Sequence, residues 1–90
     1  MILVFAKNGV IANGFMSILA NENPDLNLSK NKGWRYCHND SPSISFMQHR
    51  GDVILLYGWD RHRLVDDIIF RLDIGDFIDK TSWYESLINK

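Results

Sequence analysis

The run Val53–Trp59 constrains the fold more than any other part of the chain. Apart from Gly58, every residue in it is apolar, so in an extended conformation both sides of the run are apolar. A strand that borders water on one side alternates polar and apolar residues, whereas a strand apolar on both sides is covered on both. The sequence therefore predicts a central strand with other parts of the chain packed against each face.

Three shorter segments also have strand character. Ile2–Ala6 is a continuous apolar run, and Trp34–His38 is rich in aromatic residues. In Ile44–Met47, Ile44 and Phe46 alternate with Ser45 and Met47, a period of two that is typical of a half-buried strand. We expect this last strand to pair with the Val53 run as an antiparallel hairpin, through a tight turn that contains Arg50-Gly51-Asp52.

The segment after the first strand has two interpretations. Asn8-Gly9 is a strong signal for a hairpin turn, but Asn8 is also a good helix N-cap. Four apolar residues that follow are spaced as one stripe of a helix, which favours a helix near Val10–Ala20 even though Gly14 weakens it. These four residues are Ile11, Phe15, Ile18 and Leu19.

Two more helices are predicted in the C-terminal half. Asp60 is placed to cap a helix over Arg61–Leu72, and Ser82 with Glu85 forms a capping box for a helix over Trp83–Asn89. The apolar stripe of the first of these helices consists of Leu64, Val65, Ile68, Ile69 and Leu72.

The order of these elements is β-α-β-β-β-α-α, with a long loop over Asn21–Gly33. It predicts one α+β domain over residues 1–90, with a mixed or antiparallel sheet of about four strands and two or three helices. Cys37 is the only cysteine, so an internal disulfide is excluded. Because no secretory or membrane-spanning segment is evident either, we expect a cytoplasmic protein that does not act at a membrane.

Charge is divided between the middle and the end of the chain, although the net charge is only −1. After Arg63 there are six acidic residues and three basic ones. An acidic, aromatic-containing C-terminal half favours a small non-catalytic module of the inhibitor, immunity or accessory type, which binds a protein with a basic surface. The residues predicted to bind it are Asp66, Asp67, Asp73, Asp76, Asp79, Trp83 and Tyr84.

The middle of the chain suggests an alternative of another class. Segment 30–36 mixes cations with aromatic residues, and Asp60–Arg63 is a dense polar cluster after a buried strand. Cations attract phosphates and aromatic rings stack on unpaired bases, so nucleic-acid binding is the alternative function, with nuclease chemistry if His62 acts as an acid or base. Its candidate residues are Lys30, Lys32, Trp34, Arg35, Arg61, His62 and Arg63.

Signatures of catalysis are lacking. There is no glycine-rich phosphate loop, nucleophile elbow or Cys-x-x-Cys pair, and no histidines and cysteines with the spacing of a zinc site. Cys37 and His38 are neighbours and would point to opposite faces of a strand. We therefore expect no enzyme activity, cofactor or metal, and the sequence leaves the oligomeric state open.

Overall fold

Strands and helices alternate along the chain. The computed structural model describes residues 2–39, 43–75 and 78–79. Within them, each strand is followed by a helix before the next strand begins. The strands are β1 Ile2–Phe5, β2 Trp34–Tyr36, β3 Asp52–Leu55 and the two-residue β4 Ile78–Asp79, and the helices are α1 Gly9–Glu22, α2 Ser43–Gln48 and α3 Val65–Ile74.

The sheet is parallel throughout. Three strands lie in the order β2-β1-β3, and the short β4 extends the sheet beside β3. Leu3 of β1 lies opposite Arg35 on one side and Val53 on the other. The prediction of a mixed or antiparallel sheet is therefore wrong. Each helical connection carries the chain back to the end of the sheet where the previous strand began, so that successive strands run in the same direction.

Helices cover both faces of the sheet. Val4 and Ile54 pack on one face against α1, while Leu3 and Val53 pack on the other face against side chains of α2 and α3. The prediction that the Val53 run is covered on both faces is confirmed for Val53–Leu56. The strand is shorter than predicted, however, because it ends at Leu55 and Tyr57 is exposed.

Helix α1 begins where the sequence places it. The Oδ1 atom of Asn8 accepts a hydrogen bond of 3.0 Å from the backbone N–H of Ile11, which is the bond expected of an N-cap. The hairpin interpretation of Asn8-Gly9 is thereby excluded. The inner face differs from the predicted stripe, because Ile18 points to solvent while Ala12 and Met16 are buried.

Segment 44–47 is part of helix α2, so the predicted strand and its hairpin are both wrong. Four residues are too few to separate a period of two from a helical period, and in either conformation Phe46 could face the core. A parallel β2–β3 connection needs a crossover, and α2 supplies it. Arg50, predicted to form a hairpin turn, instead donates hydrogen bonds to the carbonyls of Met47 and His49 at the end of α2.

Helix α3 begins later than predicted. Asp60 lies in a 3₁₀ turn, Trp59–Arg61, and does not cap a helix; α3 starts at Val65 after Leu64, which makes no side-chain cap. Gly75, in the left-handed region with φ of 67°, ends it. The helix predicted over Trp83–Asn89 lies outside the described residues.

Candidate protein-binding surface

The outer side of α3 combines large apolar side chains with carboxylates. Phe70 and Ile74 are 56% and 57% exposed, and they lie one helical turn apart. Asp66 and Asp73 are exposed on the same side, one turn before Phe70 and one turn after it. We call these four residues, together with exposed Ile69, the α3 face. It has the composition of a binding surface, with apolar side chains that are bordered by charges.

Other predicted acidic and aromatic residues stand apart from this set. Asp67 is only partly exposed, and its place in the first turn of α3 lets its charge interact with the helix dipole. Asp79 belongs to β4, so its backbone lies in the outermost strand of the sheet, beside β3. Asp76, Trp83 and Tyr84, which include the predicted aromatic anchor, lie outside the described residues.

A buried arginine fixes the inner side of α3. The Arg71 side chain is fully buried, and its guanidinium donates hydrogen bonds to the carbonyls of Phe46 and, at 2.7 Å, His49. The guanidinium carbon also lies 5.0 Å from the centre of the Phe46 ring. These carbonyls are at the end of α2, where a positive charge is favourable. Arg71 thus joins α3 to α2 and sets which residues of α3 face outward.

His62 anchors the segment that leads into α3. Its ring is buried, its Nδ1 accepts a 3.0 Å bond from the N–H of Leu64, and its Nε2 donates to the carbonyls of Cys37 and His38, each at 3.0 Å. With Nδ1 accepting, the ring hydrogen is on Nε2. All its polar atoms are engaged within the fold, so the geometry gives His62 a positioning role between the end of β2 and the start of α3.

The basic-aromatic segment offers cations, but its tryptophan is buried. Trp34 is only 4% exposed and belongs to the core. The Nζ atom of exposed Lys30 lies 6.0 Å from the centre of the Trp34 ring. Lys32 and Arg35 are exposed. Phosphates can therefore reach these cations, but a base cannot stack on Trp34 without opening the core.

The two predicted basic clusters are not brought together. Lys30 and Lys32 precede β2, whereas Arg61 and Arg63 follow β3. β2 and β3 both run parallel to β1. The lysines therefore lie where the strands begin, and the arginines lie where the strands end. Arg63 is engaged with Asn39, to whose carbonyl its Nε donates at 2.6 Å. A continuous basic groove from segment 30–35 to segment 61–63 is not formed.

The carboxyl ends of β1 and β3 lie side by side, with α1 leaving to one face and α3 to the other. Ligands of parallel sheets often bind at such a point. Here the two loops meet, because the N–H of Lys7 donates to the carbonyl of Tyr57 at 2.8 Å and Gly58 packs against the Lys7 backbone. An open hollow of about 450 Å³ remains beside residues 55–61. The loop contact leaves no cleft between Lys7 and Gly58.

Titratable side chains do not form a metal-binding cluster within residues 2–39, 43–75 and 78–79. No group of three histidines, cysteines or carboxylates there is close enough to hold a metal ion. Burial raises the pKa of Tyr36 above its ordinary value, and the nearby thiol of Cys37 adds to the effect. The Tyr36 phenol therefore stays neutral at physiological pH.

His49 links the stability of the fold to pH. Burial is the main cause that lowers the pKa of His49, and the positive charge of Arg71 lowers this pKa further. The hydrogen bond from its Nε2 to the Asp52 carbonyl, at 3.3 Å, acts in the opposite direction and raises the pKa. Below a pH of about 6.5 the unfolded chain binds a proton at His49 more readily than the folded chain. The free energy of unfolding should therefore fall as the pH drops from 7.5 to 5.5. Urea denaturation at both pH values should show a smaller decrease for His49→Gln than for the wild type, and equal decreases would contradict this assignment.

Sequence analysis missed the residues at the centre of the α3 face. It assigned Ile69 to the buried stripe of the helix, and it gave no role to Phe70 or Ile74. A signal was present, because the helix carries more apolar residues than one inward face can bury. Asp66 and Asp73, in contrast, are among the residues predicted to bind a partner, and both are exposed.

Comparisons with known proteins give this surface no precedent. The chain matches no known protein family, no curated protein and no solved structure. None of the helices within the described part of the chain has the length and apolar character required to cross a bilayer. The function must therefore be inferred from the surface itself.

Proposed function

We propose that this chain is a small protein-binding module whose α3 face binds a basic surface on another protein. The observation that carries the proposal is the exposure of Phe70 and Ile74, one turn apart, on the same side of α3 as the exposed Asp66 and Asp73. The only cation on α3 is Arg71, which is buried, so the surface of the helix is negative. Carboxylates beside an exposed apolar pair favour a partner with the opposite charge.

The apolar and the acidic residues of the α3 face have different roles. An aromatic side chain that loses its water on binding carries much of the affinity, and Phe70 fits that role in place of Trp83 and Tyr84. Asp66 and Asp73 stay close to solvent, so they steer the encounter and contribute less to holding the complex together. Asp76, Asp79, Trp83 and Tyr84 remain part of the proposal as further binding residues. A cytoplasmic location remains part of it too.

The test uses affinity capture from the native host followed by binding kinetics with the purified partner. Phe70→Ala and Ile74→Ala should each raise the dissociation rate about tenfold, because they remove apolar contacts equivalent to 1–2 kcal/mol. Reversing the charge with Asp66→Lys and Asp73→Lys should instead slow association, with the largest effect at low salt.

The matched control is Ile18→Ala. Ile18 is 56% exposed and also lies on a helix, but on the opposite face of the sheet. It should leave both rates unchanged when the protein is dilute. A partner with an acidic surface, or equal effects of Ile18→Ala and Ile74→Ala, would remove the α3 face from the proposal.

Nucleic-acid binding remains the alternative, supported by the exposed cations Lys30, Lys32, Arg35 and Arg61. The burial of Trp34 and His62 leaves this set without a stacking ring or a free catalytic histidine. Titration with single-stranded DNA and RNA at low and moderate salt separates the two functions. Affinity that falls steeply with salt and depends on Lys32 and Arg35 would favour the alternative.

A further inference from the structure

The outer side of α1 is a second exposed surface, and it carries no charge from Gly9 to Asn21. Val10 is 80% exposed, Ile18 is 56% exposed, and Gly14 lies midway between them, one turn from each. Surface helices normally carry charged residues on the side that faces water. We call the outward residues of this helix the α1 face; they are Val10, Asn13, Gly14, Ser17, Ile18 and Asn21.

Within the described residues, no contact requires a glycine at position 14. A Cβ atom at this position would meet nothing within 4 Å, so neither a close approach nor a turn explains the absence of a side chain. Among residues other than proline, glycine is the least favourable in the interior of a helix. A glycine between two exposed apolar side chains does suit a helix that another helix approaches closely.

We propose that the α1 face binds the α1 face of a second copy of this chain, with the two helices antiparallel. A twofold contact sets each surface against itself, so a surface without charge can pair with its own copy. The α3 face, with Asp66 and Asp73, would repel its own copy. The uncharged surface therefore belongs to self-association, and the acidic surface to a different partner.

Charges at the two ends of α1 determine the antiparallel orientation. Exposed Lys7 lies just before the helix, and exposed Glu22 is its last residue. In an antiparallel pair, Lys7 of one copy approaches the Glu22 end of the other, and this occurs twice. The helix dipoles are also opposed in this arrangement, so that each positive end lies near a negative end.

The packing follows from the spacing of the apolar residues. With Gly14 of both copies at the centre, Val10 of each copy lies against Ile18 of the other. The helix of 14 residues is about 21 Å long. Two such helices bury less than the roughly 1,200 Å² found in stable complexes, so we expect a weak dimer whose population depends on concentration.

Dimerisation through α1 would leave both α3 faces accessible, because α1 and α3 lie on opposite faces of the sheet. If the proposed function holds, the dimer presents two binding surfaces to a partner that has repeated basic sites, and its apparent affinity rises without any new contact.

The experiment is sedimentation equilibrium of the full chain from about 10 μM to about 1 mM, a range suited to weak complexes. The wild type should shift from monomer to dimer over this range, and Ile18→Lys should remain monomeric. Ile74→Lys is the matched control, since Ile74 has almost the same exposure as Ile18, and it should dimerise like the wild type.

Gly14→Ala separates self-association from folding. The added methyl group should weaken the dimer roughly fivefold, because it holds the helices apart. It should also raise the melting temperature of the monomer, since alanine favours the helix. A monomeric wild type at the highest concentration would overturn the proposal, as would Gly14→Ala dimerising like the wild type, or loss of the dimer in Ile74→Lys. None of these results depends on the α3 partner, whose binding is measured on dilute monomer.

Discussion

Replacing Arg71 by methionine is expected to lower the free energy of unfolding by roughly 3–5 kcal/mol. The substitution keeps most of the volume of the side chain but removes the donors that serve the buried carbonyl of Phe46 and the carbonyl of His49. A domain of this size has a stability of about 5–15 kcal/mol, so the variant should be close to unfolding at room temperature. Urea denaturation followed by circular dichroism measures the change.

Arg50→Met is the matched control for this substitution. Arg50 also donates to carbonyls at the end of α2, including that of His49, but its side chain is exposed. Water can replace its hydrogen bonds, so the loss should stay below about 1 kcal/mol. Equal losses for the two arginines would show that burial of Arg71 is not what joins α3 to α2. If Arg71→Met does not fold, Arg71→Lys, which retains the charge, should fold with intermediate stability.

Gly33→Ala should cost roughly 3 kcal/mol, because a methyl group there would overlap the backbone of Asn27 and Leu28. The carbonyl of Gly33 also accepts a hydrogen bond of 3.0 Å from the N–H of Ile2, and its N–H donates to the carbonyl of Ser29 at 2.7 Å. The loop therefore cannot move away without loosening the start of β1. Thermal and chemical denaturation should both report the loss.

Gly14→Ala is the opposite case of the same substitution. Position 14 is helical and open, so alanine should stabilise the monomer by about 0.5–1 kcal/mol. A stabilising Gly33→Ala would mean that the turn before β2 differs from the one described. The comparison separates a glycine that the fold requires from one that it does not.

These stability effects bear on the proposed function because the α3 face depends on the anchors behind it. Arg71 holds the inner side of α3 against α2, and His62 holds the chain just before the helix. Loss of either should displace Phe70 and Ile74 without changing them. Weaker partner binding in Arg71→Lys, with the exposed residues intact, would be consistent with this dependence.

Local signals in the sequence favoured α1 over a hairpin and predicted the cover on both faces of the Val53 run. The side chain of Asn8 caps the helix through a bond to a residue three positions away, so the information is local. The apolar character of Val53–Leu56 on both sides requires cover on both faces, whichever elements supply it. The exposed carboxylates of Asp66 and Asp73 were also predicted from the sequence, since charged side chains seldom lie buried without partners.

Strand direction and the inner side of α3 were decided only by the tertiary structure. Segment 44–47 is compatible with a strand or a helix, and it became a helix because β3 runs parallel to β1 and needs a crossover to reach its place. Arg71 is buried and Phe70 exposed, the reverse of what their polarity alone predicts. The carbonyls that receive Arg71 lie 22 and 25 residues away along the chain. Only folding brings them to its guanidinium, and once Arg71 is held inward, the geometry of the helix turns Phe70 and Ile74 to the surface.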